Sequence, residues 1–307
     1  MMLSRVANNV YWMARYIERA ENTARLINVN THLLLDLPKR VRLGWEPIVD
    51  ITSTQEYFYS LHDEADERSV VRFMVTDTRN PASILSSLGM ARENARTIRD
   101  IIPREAWEQV NELYLKAKAN AHNVMTHRHR YDYLRSIILG AQTITGLLAG
   151  TMTHNEGYSF LRMGRNLERG DMTTRIIDVR SASLLPEMTE ELTPFENLQW
   201  MSVLKSLTAY QMYRREVRLR IRRPDVLKFL LLEERFPRAL YHTLREVESC
   251  LKTLPHNEKP LQVIIKLQQE LLRAKPQELK QEKLHAFIDT TQIGLAEVNN
   301  SINQTYF

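Results

Sequence analysis

Met13-Ala-Arg-Tyr-Ile-Glu-Arg-Ala-Glu-Asn-Thr-Ala-Arg-Leu-Ile-Asn-Val29 and Met163-Gly-Arg-Asn-Leu-Glu-Arg-Gly-Asp-Met-Thr-Thr-Arg-Ile-Ile-Asp-Val179 decide the architecture of this chain. Laid over one another at an offset of 150 positions, they agree at Met13/Met163, Arg15/Arg165, Glu18/Glu168, Arg19/Arg169, Thr23/Thr173, Arg25/Arg175, Ile27/Ile177 and Val29/Val179. Chance would give about one identity over such a length. In the first stretch and just before it, apolar residues recur every three to four positions, at Val10, Met13, Ile17, Ala20, Ala24 and Ile27. That is one face of an α-helix, and it predicts a helix from about Ser4 to the residues before Pro38.

The match extends outward. An offset of 156 pairs Phe73, Asp77, Arg79 and Pro81 with Phe229, Glu233, Arg235 and Pro237, Tyr57 with Tyr213 and Leu88 with Leu244, while an offset of 155 pairs Trp45 with Trp200. The matched segments keep the same order, so the sequence reads as an internal duplication with halves 1–152 and 153–307. A unit of this length is too long for a solenoid repeat, and two copies are too few. Each half reads as a helical bundle, and the two are expected to pair about a pseudo-two-fold axis as one duplicated domain. The alternative is two bundles side by side with no shared site.

Periodicity predicts further helices at 45–53, 66–77, 81–102, 104–123, 129–152, 154–183, 194–219, 224–234, 237–254, 260–274 and 276–304. Pro81, Pro103, Pro237 and Pro276 fall at or next to expected first turns, where a missing N–H costs nothing. Short strands stay open near 68–76 and 226–232. The composition agrees with an all-α class: only 9 Gly and 11 Pro serve the whole chain, against 43% hydrophobic and 26% charged residues. The single cysteine, Cys250, excludes an internal disulfide and suits a reducing compartment. Charges interrupt every apolar run well short of a membrane span, so the expected location is the cytoplasm without membrane insertion.

Glu18, Glu21 and Arg25 flank the apolar stripe of the first motif, and Glu168, Asp171 and Arg175 flank that of the second, which runs through Met163, Leu167, Gly170 and Thr174. Small residues at Ala20, Ala24, Gly170 and Thr174 would admit a neighbouring backbone. With Arg15, Arg19, Arg165 and Arg169, the constellation has three readings. The first is a charge network that fixes the register of packed helices, with Glu21–Arg25 and Asp171–Arg175 as i,i+4 pairs. The second is an arginine site for a carboxylate or phosphate, with a glutamate as acid, base or orienter. The third, a carboxylate-bridged metal site, is disfavoured because Glu18-x-x-Glu21 and Glu168-x-x-Asp171 lack the histidine of the helical di-iron pattern.

Arg214, Arg215, Arg218, Arg220, Arg222 and Arg223 crowd into ten residues, whereas their counterpart in the first half carries Asp63, Glu64, Asp66 and Glu67. This run reads as a solvated helix end or a surface for an acidic partner or anion. Nucleic acid is an unlikely ligand, because no aromatic residues interleave it. His127 and His129 are too poorly spaced to share a metal, and Thr153 or Asn155 is expected to cap the helix that follows. No phosphate loop, nucleophile elbow or dinucleotide fingerprint is present, so no cofactor or metal is expected.

Tyr11-Trp-Met-Ala-Arg-Tyr-Ile-Glu-Arg-Ala-Glu-Asn-Thr-Ala-Arg25 resembles the signature of the alpha-E family, helical proteins named for a Glu-Arg motif. Ala91-Arg-Glu-Asn-Ala-Arg-Thr97, Phe160-Leu-Arg-Met-Gly-Arg-Asn-Leu-Glu-Arg169 and Val226-Leu-Lys-Phe-Leu-Leu-Leu-Glu-Glu-Arg-Phe-Pro-Arg238 extend the likeness over the whole chain. His154 departs from it, the family pattern favouring arginine there. The resemblance implies a context rather than an activity. Relatives are typically encoded beside, or fused to, a circularly permuted ATP-grasp ligase, often with a transglutaminase-like peptidase and sometimes a proteasome-like hydrolase. Such a ligase joins a carboxylate to an amine through an acyl phosphate. The resemblance therefore implies a non-catalytic or substrate-presenting partner of an amide-forming ligase. Against it stand an enzyme or carboxylate-binding protein using the duplicated Glu/Arg site, and a nucleic-acid or membrane-surface binder using the arginine run.

Overall fold

The computed structural model describes residues 2–36, 44–182, 193–217 and 220–307. Among these the chain is all-α, with no strand. The helices are α1 (Ser4–Asp36), α2 (Glu46–Ile51), α3 (Gln55–Tyr59), α4 (Glu67–Val75), α5 (Ile84–Thr97), α6 (Arg104–Asn120), α7 (His127–Thr151) and α8 (Glu156–Ala182), followed by α9 (Thr193–Ser206), α10 (Tyr210–Val217), α11 (Arg223–Leu232), α12 (Leu240–Leu251), α13 (Glu258–Ala274) and α14 (Gln281–Tyr306). Both segments that the sequence left open as strands are helical, as α4 and α11. No described helix is long and apolar enough to cross a membrane.

Local chemistry fixes several helix ends. Asp66 accepts from the Ser69 N–H at 2.7 Å to cap α4, and Ser83 accepts from the Ser86 N–H at 3.2 Å to cap α5. Asn155 accepts from the Gly157 N–H at 3.0 Å at the start of α8. The helix expected over 194–219 is instead broken into α9 and α10. Thr208 takes φ 55°, while the Ala209 N–H reaches back to the Leu204 carbonyl at 2.7 Å. This is a Schellman closure with threonine where glycine is usual. Ser53, at φ 53°, does the same between α2 and α3, with the Thr54 N–H on the Val49 carbonyl at 3.2 Å.

Contacts divide the chain into two compact units: Met1–Asn28 with Gly44–Glu168 and Tyr306–Phe307, and Val29–Leu43 with Arg169–Thr305. These boundaries lie elsewhere than the sequence halves at 152/153. They fall inside α1 and α8, because a 33-residue helix is about 50 Å long and outruns one core.

Inside each unit, the paired positions of the sequence do the same local work. In the first, Thr23 Oγ1 donates to the Ala82 carbonyl at 3.3 Å; in the second, Thr173 Oγ1 donates to the Arg238 carbonyl at 2.9 Å. Each acceptor directly follows a matched proline, Pro81 or Pro237. Tyr57 and Phe73 meet at 5.8 Å between ring centroids, and Tyr213 and Phe229 at 5.6 Å. Asp77 accepts from the backbone N–H of Arg79 at 2.9 Å, as Glu233 does from that of Arg235 at 3.1 Å. Gly140 of α7 lies against Leu113 of α6, and Gly294 of α14 against Leu267 of α13, both at an offset of 154.

Candidate functional site

In the first unit, α1 and α8 approach backbone to backbone. A Cβ on Gly164 would run into the carbonyl oxygen of Tyr11, so only glycine fits there. The sequence places close approach at Ala20, Ala24, Gly170 and Thr174. All four are buried, and Gly170 does meet Thr243 and Leu240 of α12, but the tightest helix contact falls at Gly164.

Four residues beyond that contact, Glu168 projects between two arginines of α1. Arg15 and Arg19 stand one turn apart and so share a face. Arg15 Nε donates to Glu168 Oε2 at 2.8 Å, Arg19 Nε donates to Oε1 at 2.6 Å, and Arg19 Nη2 donates to Oε2 at 3.0 Å. Both carboxylate oxygens are thus engaged, one guanidinium bidentately. Glu168 is 2% exposed, and the side chains of Arg15 and Arg19 are 11% and 21% exposed. Aromatic faces cover the cations: the Arg15 guanidinium lies 4.9 Å from the Trp12 ring centre, and that of Arg19 lies 5.5 Å from Tyr16.

Burial alone would raise the Glu168 carboxyl. The charges of Arg19 and Arg15 and their hydrogen bonds outweigh it and hold the group down at about 2. Arg19, which burial would lower, is instead raised by Glu168. A carboxylate so held stays ionised at neutral pH, has no proton to give and is a weak base. General acid–base chemistry needs a group that titrates near the working pH, so this geometry suits a clamp.

The remaining motif residues surround or repeat this arrangement. Glu18 is also 2% exposed, whereas Arg165 and Arg169 are partly exposed. Glu21, again 2% exposed, accepts from Arg25 Nε at 2.9 Å and Nη2 at 2.7 Å. Gln142 of α7 approaches the same oxygen at 3.5 Å, a neighbour that sequence periodicity could not name. In the second unit, Arg175 Nε donates to Asp171 at 2.9 Å, in a pair whose side chains are 27% and 24% exposed. The same unit buries Arg180, whose Nη2 donates to Asn30 at 2.8 Å and whose guanidinium burial lowers to about 10.

Arg214 and Arg215 end α10 exposed; Arg220 and Arg222 are exposed, and Arg223 is partly so at the start of α11. Arg218 lies outside the described residues. A cleft of about 410 Å³ beside them is lined by Glu216, Asp225, Lys228, Phe229, Glu233 and Arg235, among others. Their acidic counterparts have partly structural tasks: Asp66 is the α4 cap, and Glu67 forms an ion pair with Arg130 at 2.7 Å and lies 3.1 Å from His127. His129 contacts Thr126 at 2.9 Å. His154 stacks on Tyr158 at 3.8 Å and meets the Ala149 carbonyl at 3.0 Å.

Uncharacterized proteins of Mycobacterium bovis and Mycobacterium tuberculosis are 23% identical over 298 residues, covering 90% of this chain but 33% of their own length. The chain thus spans about a third of the curated relatives it matches. No solved structure matches it. A family model described as a predicted alpha-helical domain with a conserved ER motif matches residues 2–307, and the chain therefore belongs to the Alpha-E family.

Proposed function

We propose that this chain is a non-catalytic, substrate-presenting or scaffolding partner of an ATP-grasp ligase that joins a carboxylate to an amine in the cytoplasm, and that its Glu/Arg motif is a structural clamp. The observation that carries the second part is the state of Glu168: both oxygens are bound by arginine and the carboxyl is held at about 2. A carboxylate bound in this way is neither an acid nor an effective base, and Arg19 spends its guanidinium fork on it. The ligase is what the family resemblance implies, with a transglutaminase-like peptidase as a further component. In the relatives the matched region is 33% of a longer chain, which fits a chain that works together with other sequence. The duplication enters the same proposal: equivalent threonines, glycines and aromatic pairs make equivalent contacts in each unit, as expected of two copies of one ancestral bundle.

Arg214, Arg215, Arg220 and Arg222 are exposed and carry no ion pair among the described residues, which suits them to an acidic surface on that partner. The test is purification of the tagged chain from its native host at low salt. An ATP-grasp ligase should copurify, show carboxylate-dependent ADP release, and separate as salt rises. A folded chain that brings down no such ligase overturns the proposal, and a purified chain that forms an amide by itself places it among enzymes.

A further inference from the structure

Within the second unit, α8 and α14 are tied side by side near their ends. Gln281 Nε2 donates to Ser181 Oγ at 2.9 Å, and one turn further His285 Nδ1 lies 2.8 Å from Asp178 Oδ1. Asp289, four residues after His285 and on the same helix face, places its Oδ2 3.5 Å from His285 Nε2. One ligand atom from each of the three can lie within 4.8 Å of the others. Ligand atoms around one tetrahedral ion with bonds of about 2.0–2.2 Å stand about 3.3 Å apart, so one ring nitrogen and the two carboxylates must draw together by up to about 1.5 Å to share it.

The trio is not demanded by the packing of these helices. The contacts of Gly140 with Leu113 and of Gly294 with Leu267 fix the offset between α7 and α14 at 154. At that offset His285 and Asp289 correspond to Tyr131 and Arg135, and Asp178 corresponds to Asn28 at the offset of 150. The first-half positions thus hold no histidine or carboxylate, and the trio is an addition of the second half alone. Its charge is also uncompensated, because two carboxylates share one imidazole. Asp178 is only 13% exposed, and burial together with Asp289 pushes its carboxyl up, opposed by His285.

We propose that Asp178, His285 and Asp289 bind a divalent transition-metal ion of the zinc class. One imidazole nitrogen with two carboxylate oxygens is a borderline-hard donor set that suits zinc or manganese better than a thiophilic ion. Three protein ligands leave a fourth position for water, the arrangement of an open site. His285-x-x-x-Asp289 was visible in the sequence as an i,i+4 pair, but its third member lies 107 residues away.

The test uses tag-free chain, stripped with chelator and titrated with Zn²⁺ by calorimetry and equilibrium dialysis. One ion should bind per chain and raise the thermal midpoint. His285→Tyr combined with Asp289→Arg installs the first-half residues, removes two of the three ligands, and should abolish saturable binding while the chain stays folded in chelator. Should that variant unfold, Asp289→Asn, at a side chain 55% exposed, must still weaken binding at least about tenfold. Absence of saturable Zn²⁺ uptake by the wild type up to about 1 mM, or equal uptake by the variants, overturns the proposal.

Discussion

Glu168→Gln keeps the shape of the clamp and removes its charge. A buried carboxyl held at about 2 rather than 4.5 is stabilised in its ionised form by about 3 kcal/mol, at about 1.4 kcal/mol for each tenfold change. Because the folded value is the depressed one, this contribution is fully present above the unfolded value of 4.5 and is lost as pH falls through 2. At pH 7 the substitution should therefore cost about 3 kcal/mol. The two arginines left behind, 11% and 21% exposed, push the cost toward the 3–5 kcal/mol typical of a broken buried pair. At pH 3 the wild-type advantage should shrink to about 1.4 kcal/mol. Urea denaturation of both proteins at the two pH values reads this directly. A loss below about 1 kcal/mol at pH 7, or one that does not shrink in acid, refutes the clamp.

The glycine contacts give a second comparison. Gly164→Ala drives a methyl into the Tyr11 backbone and should cost about 2–4 kcal/mol by denaturant titration, whereas Gly294→Ala meets the mobile end of Leu267 and should cost about 1 kcal/mol or less. Equal effects would mean that α1 and α8 can separate freely. Joint replacement of Arg214, Arg215, Arg220 and Arg222 by alanine should leave stability within about 0.5 kcal/mol per site, since all four are exposed and unpaired among the described residues. The wild-type run should also bind DNA only weakly and with steep salt dependence; sub-micromolar or sequence-selective binding near 0.15 M salt contradicts its assignment to an acidic partner.

Periodicity and repetition in the sequence determined the helical class, the position of the long helices and the identity of the Glu/Arg motif. These are local properties: the spacing of Met13, Ile17, Ala20 and Ala24 places them on one face whatever else the chain does, and all are buried. The same logic named Glu21–Arg25 and Asp171–Arg175, which are one helical turn apart and pair as spacing requires. It missed the break between α9 and α10, because Thr208 adopts a left-handed conformation that the sequence code associates with glycine.

Partner choice across helices belonged to tertiary structure alone. Nothing local distinguishes Glu168, clamped by Arg15 and Arg19, from any glutamate on a charged helix flank. That outcome depends on how closely α8 approaches α1 at Gly164, and the depth of that approach sets the burial that makes the charges interact strongly. Gln142 on Glu21 and Asp178 beside His285 are likewise separated by 121 and 107 positions. The sequence supplied the residues and their faces; which of them met, and in how little water, was fixed only when the helices packed.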